Sequence, residues 1–267
     1  MSSGSYSGAM PSSRNLALKL ALSRRKQLCI ISPHLDDAAF SAFAAIQAQC
    51  FEHRYVVSVV TAPGEKGGAS WARTAGFADP EAEFQVRQDE DRRAMDSLGV
   101  SVKHLGVRTG STRGLIDAAI HSFFRAEAPS MDRTLYLLPG GAGGAQLRGG
   151  PWRLLNRLSR RPPGAAAHPE HIAVRDAATH LLLSTADACF GFYGEQPYVW
   201  NDSAPRLRDE LRLLSGLELE VVRAKPLLES KLQLARQYES QFPLIFGQSD
   251  GYQRRALGRE EDYFLVS

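Results

Sequence analysis

The stretch CIISPHLDDAAFSAF, residues 29–43, ends an apolar run at Ser32 and Pro33 and follows it at once with His34, Leu35, Asp36 and Asp37. One imidazole and two carboxylates at a strand exit can hold a metal or move protons. His34 and Asp37 are three residues apart. Across a strand-to-helix turn that spacing directs both side chains to one point, and an imidazole with a carboxylate is a common mixed ligand pair for zinc. Asp36, between them, points elsewhere and is free to serve as a base beside the metal. Read alone, the same residues also suit a plain helix start, where Asp is favoured as a cap.

A catalytic zinc takes a third protein ligand and keeps one position open for water. AAHPEHIAVRDAATHLLL, residues 166–183, offers that ligand. His168 and His171 are again three apart, at a helix start behind a long loop, with Pro169 holding the turn. One of the two can bind the metal while the other faces the substrate. His53, His104, His121 and His180 are isolated and read as surface or core histidines.

These groups need a scaffold that brings residues 34 and 171 together. Apolar runs with the length of buried strands occur at 27–32, 55–61, 102–107, 134–139, 188–193 and 217–223. Helical patterns fall between them at 38–49, 80–98, 113–126, 171–184 and 226–241. Alternation of this kind predicts an α/β fold: a Rossmann-like, mostly parallel sheet with helices on both faces. Ligands of such sheets sit at the carboxyl ends of the strands, which is where His34 falls. Two long loops, 62–80 and the Gly-rich 139–152, leave such ends. The second lacks both the G-x-G-x-x-G and the G-x-x-x-x-G-K-[ST] register, so it reads as a lid rather than a phosphate cradle.

The totals set bounds. At 267 residues and 43% hydrophobic the chain can bury a full core, and no stretch approaches the ~18 uninterrupted apolar residues of a membrane span. The Ser/Gly-rich start predicts a disordered arm over 1–24 and a single domain over 25–267. With 32 basic and 29 acidic residues, net charge +3, the balance does not argue for a nucleic-acid partner. A basic cluster at 153–163 reads as a solvated face or an anion-facing surface. Three unpaired cysteines without a Cys-x-x-Cys motif, and the lack of a secretory signal, point to a reducing, cytoplasmic compartment. The sequence leaves a homo-oligomer open. Tyr193, Tyr198 and Trp200 follow a strand end and read as core packing or as a stacking wall, and Trp152 as a cap on the pocket.

Taken together, PHLDDA and HPEHIAV resemble the two signatures of the PIG-L/LmbE-like zinc-dependent N-acetylglucosaminyl deacetylases. VRQDEDRRAMDSLGV is similar to the family's Arg-x-x-Glu helix, with Arg87 and Glu90 in place, and FYGEQPYVW and KLQLARQYESQ resemble later family segments. The resemblance runs from about Gln27 to Gly247. It implies zinc ligands His34, Asp37 and His171, one ion per chain, with Fe2+ or Co2+ able to use the same donors. It implies Asp36 as general base, a protonated His168 assisting the oxyanion or leaving amine, Glu170 tuning His168, and Arg87 contacting the sugar, with Tyr193 beside the substrate. The implied activity is removal of an N-acetyl group from an amino sugar or glycoside.

The chain also departs from the family pattern. Leu35 stands for a proline, Ala38 for a glutamate, Glu170 for an aspartate and Thr109 for an aspartate that helps hold a sugar hydroxyl. The metal chemistry is therefore better marked than the sugar. A zinc amidase acting on another N-acyl or thiol-conjugate metabolite, and a non-catalytic metal- or sugar-binding protein, are the other readings.

Overall fold

Strand β1 (Gln27–Ser32) lies in the middle of the sheet because its residues are apolar on both faces: Leu28 and Ile30 enter one hydrophobic cluster, Cys29 and Ile31 the other. The computed structural model describes residues 16, 19–20, 23–64, 72–73, 75–126, 128–141, 168–201 and 203–266. The expected lid at 139–152 beyond residue 141, the basic cluster at 153–163 and Trp152 lie outside the described residues, as does the Trp200 side chain.

The other strands are β2 (His53–Ala62), β3 (Ser101–Arg108), β4 (Thr134–Pro139), β5 (Cys189–Tyr193), β6 (Leu219–Ala224) and β7 (Glu261–Val266). Among the described residues they form one sheet in the order β3-β2-β1-β4-β5-β7-β6. The first five are mutually parallel, and β7 pairs antiparallel with both β5 and β6. The chain leaves β1 for β2 on one side and reaches β4 on the other. The switch point of this doubly wound sheet thus opens at the carboxyl ends of β1 and β4.

Short helices α1 (Asp37–Ser41) and α2 (Phe43–Ile46) follow β1 where the sequence predicts a single helix. Ala42, at φ −123° and ψ 24°, breaks it. The break fits the use made of Ser41, whose Oγ accepts from the Gln196 backbone N–H at 3.0 Å. Then come α3 (Pro80–Asp96), α4 (Arg113–Ala126), α5 (Pro169–Leu183), α6 (Ala204–Ser215), α7 (Leu228–Ala235), α8 (Phe242–Phe246) and α9 (Asp250–Leu257). Helices α4 and α5 contribute Ile116, Ile120, Val174 and Leu182 to the cluster on one sheet face. Phe40, Phe43, Tyr238, Phe242 and Phe246 fill the other.

Packing reaches further toward the N-terminus than the expected arm over 1–24. Leu16 and Leu20 are buried in the core, and Lys19 Nζ lies 2.6 Å from Glu220 Oε2. A leucine pair four residues apart buries one helical face, which a Ser/Gly-rich neighbourhood conceals.

Two polar networks brace the scaffold under the site. On α3, Glu90 accepts from the Ser240 backbone N–H and hydroxyl at 2.8 and 2.6 Å, and Asp91 meets His104 Nε2 and the Tyr238 hydroxyl at 2.8 Å each. The similar segments around Arg87 and Tyr238 are thus one structural unit. Elsewhere Lys231, fully buried, donates to Glu261 at 2.6 Å and Gln196 at 3.3 Å. Burying such a cation requires a paired acceptor, and the pairing fastens α7 to β7 and to the segment after β5.

Candidate metal centre

The turn after β1 is closed by its own side chains. Ser32 Oγ donates to the His34 carbonyl at 2.7 Å and accepts from the Ala38 N–H at 3.1 Å. Asp37 Oδ2 accepts from the His34 backbone N–H at 2.9 Å. Across the switch point, His168 caps α5, and Pro169 occupies its first turn, where a missing N–H costs nothing. His171 sits one turn in and is fully buried.

These turns bring three donor atoms together. His171 Nε2 lies 3.0 Å from His34 Nδ1, and Asp37 Oδ2 lies 3.3 Å from each of them. The outer nitrogens are engaged by carboxylates: His34 Nε2 by Glu170 Oε2 at 2.7 Å, and His171 Nδ1 by Glu195 Oε1 at 2.7 Å. An ionised carboxylate only accepts, so each outer nitrogen carries the hydrogen. The two inner nitrogens and the Asp37 oxygen then converge on one another, an arrangement that calls for a proton shared between them or for a metal cation. Burial works against a charged His34, but Asp37 and Glu170 outweigh it and lift its pKa to about 10.

The separations are also those of metal donors. Donors about 2.0–2.2 Å from a tetrahedral zinc stand ~3.3–3.5 Å apart, and the carboxylates on the outer nitrogens are the usual orienting partners of metal-binding histidines. His34, His168 and His171 form a second grouping, with ligand atoms within 4.8 Å of one another. Asp37 Oδ2, at 3.3 Å from both inner nitrogens, completes a compact donor set with His34 and His171. The donors therefore fit a metal ion.

His168 stands beside this set, its ring centroid 5.1 Å from that of His34 and 5.0 Å from that of His171. Burial, with the neighbouring His34 and His171, pulls its pKa down to about 4. This environment favours its neutral form. Glu170 differs from expectation. Its carboxylate bonds His34 and accepts from the Gly110 N–H at 2.5 Å, while His168 Nδ1 is 3.7 Å away.

Asp36 is buried beside the donor set, with Oδ1 3.9 Å from Arg87 Nη2. Burial raises its pKa, and Arg87 pulls against that rise. Arg87 also contacts Glu83 Oε1 at 3.3 Å, and its Nε is a buried donor without a partner. A cavity of about 440 Å³ lies over these groups, bordered by His34, Asp36, Asp37, Arg87, Thr109 and His168.

Tyr193 does not join them. Its side chain is enclosed in the core and its hydroxyl donates to the Ile31 carbonyl at 3.0 Å. Strand alternation turns it inward, and Tyr198, whose ring centroid is 5.1 Å from that of His171, lines the cavity in its stead. Glu195 escaped the sequence reading. Its one signal was an acidic residue directly behind a buried strand end.

Fold and site define a doubly wound α/β protein with a metal-type donor set at the topological switch point. Residues 29–149 match the family model described as GlcNAc-PI de-N-acetylase. Among solved structures, the chain resembles the zinc-inhibited form of teicoplanin deacetylase Orf2 at 21% identity, with 90% of this chain and 98% of that one covered and a TM-score of 0.60. For the A40926 pseudoaglycone deacetylase Dbv21 the corresponding values are 23%, 91%, 98% and 0.61. For the N,N'-diacetylchitobiose deacetylase of Pyrococcus horikoshii they are 14%, 95%, 89% and 0.54. No curated protein matches the chain by sequence. Among the described residues no helix is long and apolar enough to cross a membrane.

Proposed function

We propose that the chain is a zinc-dependent N-deacetylase of an amino sugar or a related N-acyl amine. The observation that carries this reading is the convergence of His34 Nδ1, Asp37 Oδ2 and His171 Nε2 at 3.0–3.3 Å beside a separate buried carboxylate, Asp36. The relatives named above are, by their names, deacetylases of teicoplanin, A40926 pseudoaglycone and N,N'-diacetylchitobiose, which agrees with an amide hydrolase. His34, Asp37 and His171 would hold one ion, with Glu170 and Glu195 orienting the two imidazoles. When bound, zinc supplies a Lewis acid and brings the pKa of water from 15.7 toward about 7. Iron or cobalt would use the same donors.

The chain's own residues divide the remaining work. Asp36 accepts the proton of the attacking water at its carboxylate and returns it to the departing amine. Burial raises the pKa of that carboxylate and makes it a stronger base, and Arg87 limits the rise. His168 in its neutral form donates a hydrogen bond to the oxyanion through Nε2–H, because its Nδ1 accepts from the Glu170 N–H at 3.4 Å. Arg87 Nε, a buried donor without a partner, meets an acceptor of the substrate.

Acetate release from a panel of N-acetylated amino sugars, free and as glycosides, tests the activity. The expected result is release that a chelator abolishes and zinc restores. Metal-replete protein inert toward the whole panel and toward other N-acyl amines would leave a binding protein.

The pKa of His34 adds a pH prediction. Raised to about 10, the ring holds a proton at neutral pH until a metal displaces it. Metal binding at pH 7 therefore releases about one proton, and the apparent affinity strengthens as pH rises toward 10 and weakens below 7. Calorimetry in buffers of different ionisation enthalpy reads the proton count. Binding without proton release contradicts the shared-proton arrangement.

A further inference from the structure

Arg87 treats its two carboxylate neighbours unequally. Its Nη1 donates to Glu83 Oε1 at 3.3 Å, whereas its Nη2 stops 3.9 Å from Asp36 Oδ1, outside hydrogen-bond reach. An arginine free to close on a buried carboxylate forms a two-pronged pair at about 2.7–2.9 Å. The guanidinium is therefore restrained, and α3 itself supplies the restraint. Glu83 lies one turn before Arg87 on α3 and is 1% exposed. Burying a carboxylate is costly, and packing alone would place an apolar residue at position 83. Glu83 also accepts a hydrogen bond from the side chain of Gln241, at the start of α8, so its place does not depend on Arg87 alone. One turn beyond Arg87, Glu90 is tied to Ser240 of the same segment. The Phe84 ring, 5.1 Å from the guanidinium carbon, gives the cation a further contact away from Asp36.

Resting on the hydrolase reading, we propose that Glu83 is a positioning residue that holds Arg87 short of Asp36. The restraint leaves Asp36 unclamped for the attacking water. It also keeps Arg87 Nε, a buried donor without a partner, available to an acceptor of the substrate. Without Glu83, Asp36 is the carboxylate left in ion-pair range of Arg87 among the described residues. Attraction between buried charges is weakly screened, so the guanidinium closes on Asp36 and engages the oxygens that the reaction needs.

Glu83→Leu fills the space and removes the acceptor. On an N-acetylated amino sugar that the parent cleaves, kcat falls about tenfold or more at full metal content, a share of the ~10²–10⁴-fold that a general base supplies. In an Arg87→Met background the same substitution lowers kcat by less than about twofold further, because no guanidinium is left to close. Glu83→Gln, which keeps the shape of the side chain, reads the same contrast between backgrounds should leucine disturb α3. An equal loss in both backgrounds assigns Glu83 to packing and overturns the proposal, as does a Glu83→Leu protein with the parent's kcat. Crystal structures of the parent and of Glu83→Leu read the restraint without turnover. Arg87 moves to within about 3.0 Å of Asp36 in the variant and stays apart in the parent. That movement in a protein that cleaves nothing upholds the restraint while the hydrolase reading falls. An Arg87 that keeps its distance from Asp36 in the variant overturns the proposal whatever the activity.

Discussion

His171→Ala yields protein that holds no metal and releases no acetate. His171 contributes one of three converging donor atoms, and its ring is fixed by Glu195 at 2.7 Å within a fully buried environment. Loss of a mere outer-shell partner of a metal ligand costs ~10–100-fold in affinity, so losing the ligand itself exceeds that range. The variant also leaves the Glu195 carboxylate buried without its imidazole partner, a loss on the order of 3–5 kcal/mol. Folding is therefore checked by circular dichroism before metal is counted. The companion variant is His168→Ala, which retains the metal because His168 stands outside the compact set. Folded His171→Ala with full metal occupancy would contradict the ligand assignment.

Asp36→Asn separates chemistry from metal binding. Asp36 lies 3.9 Å from Arg87 and is not one of the three proposed donors, so the ion stays. The amide keeps the shape but cannot take a proton, and losing a general base typically lowers turnover ~10²–10⁴-fold. The expected profile is normal metal content, little change in KM and a collapse in kcat. Arg87 retains Glu83 as its ion-pair partner, so the variant does not strand the guanidinium. Turnover within a few-fold of the parent at full metal content would remove Asp36 from the reaction.

Parts of this were legible before any coordinates. The bounds of β1 and β4 follow from apolar runs that end abruptly at Ser32 and Pro139. The His34 and Asp37 pair was legible because a local turn fixes the geometry of residues three apart. Partners far apart in sequence were harder. Glu195 is 24 residues from His171, and only the tertiary fold joins them. Strand β7 was missed because its EDYFLV run follows a charged stretch and pairs antiparallel inside an otherwise parallel pattern. Tyr193 was placed beside the substrate although the inward face of β5 carries it into the core. The helix expected over 38–49 divides because Ser41 is tied to Gln196, a constraint from a segment that periodicity cannot register.

The central claim is a mononuclear centre built from His34, Asp37 and His171. X-ray absorption at the zinc edge of the reconstituted protein, paired with the same measurement on Asp37→Ala and His168→Ala, tests it most directly. The account predicts one ion with two imidazole nitrogens and a carboxylate oxygen, bonds of about 2.0–2.2 Å, unchanged in His168→Ala and lost in Asp37→Ala. Three imidazoles about the ion, with the signal surviving in Asp37→Ala and vanishing in His168→Ala, would contradict it.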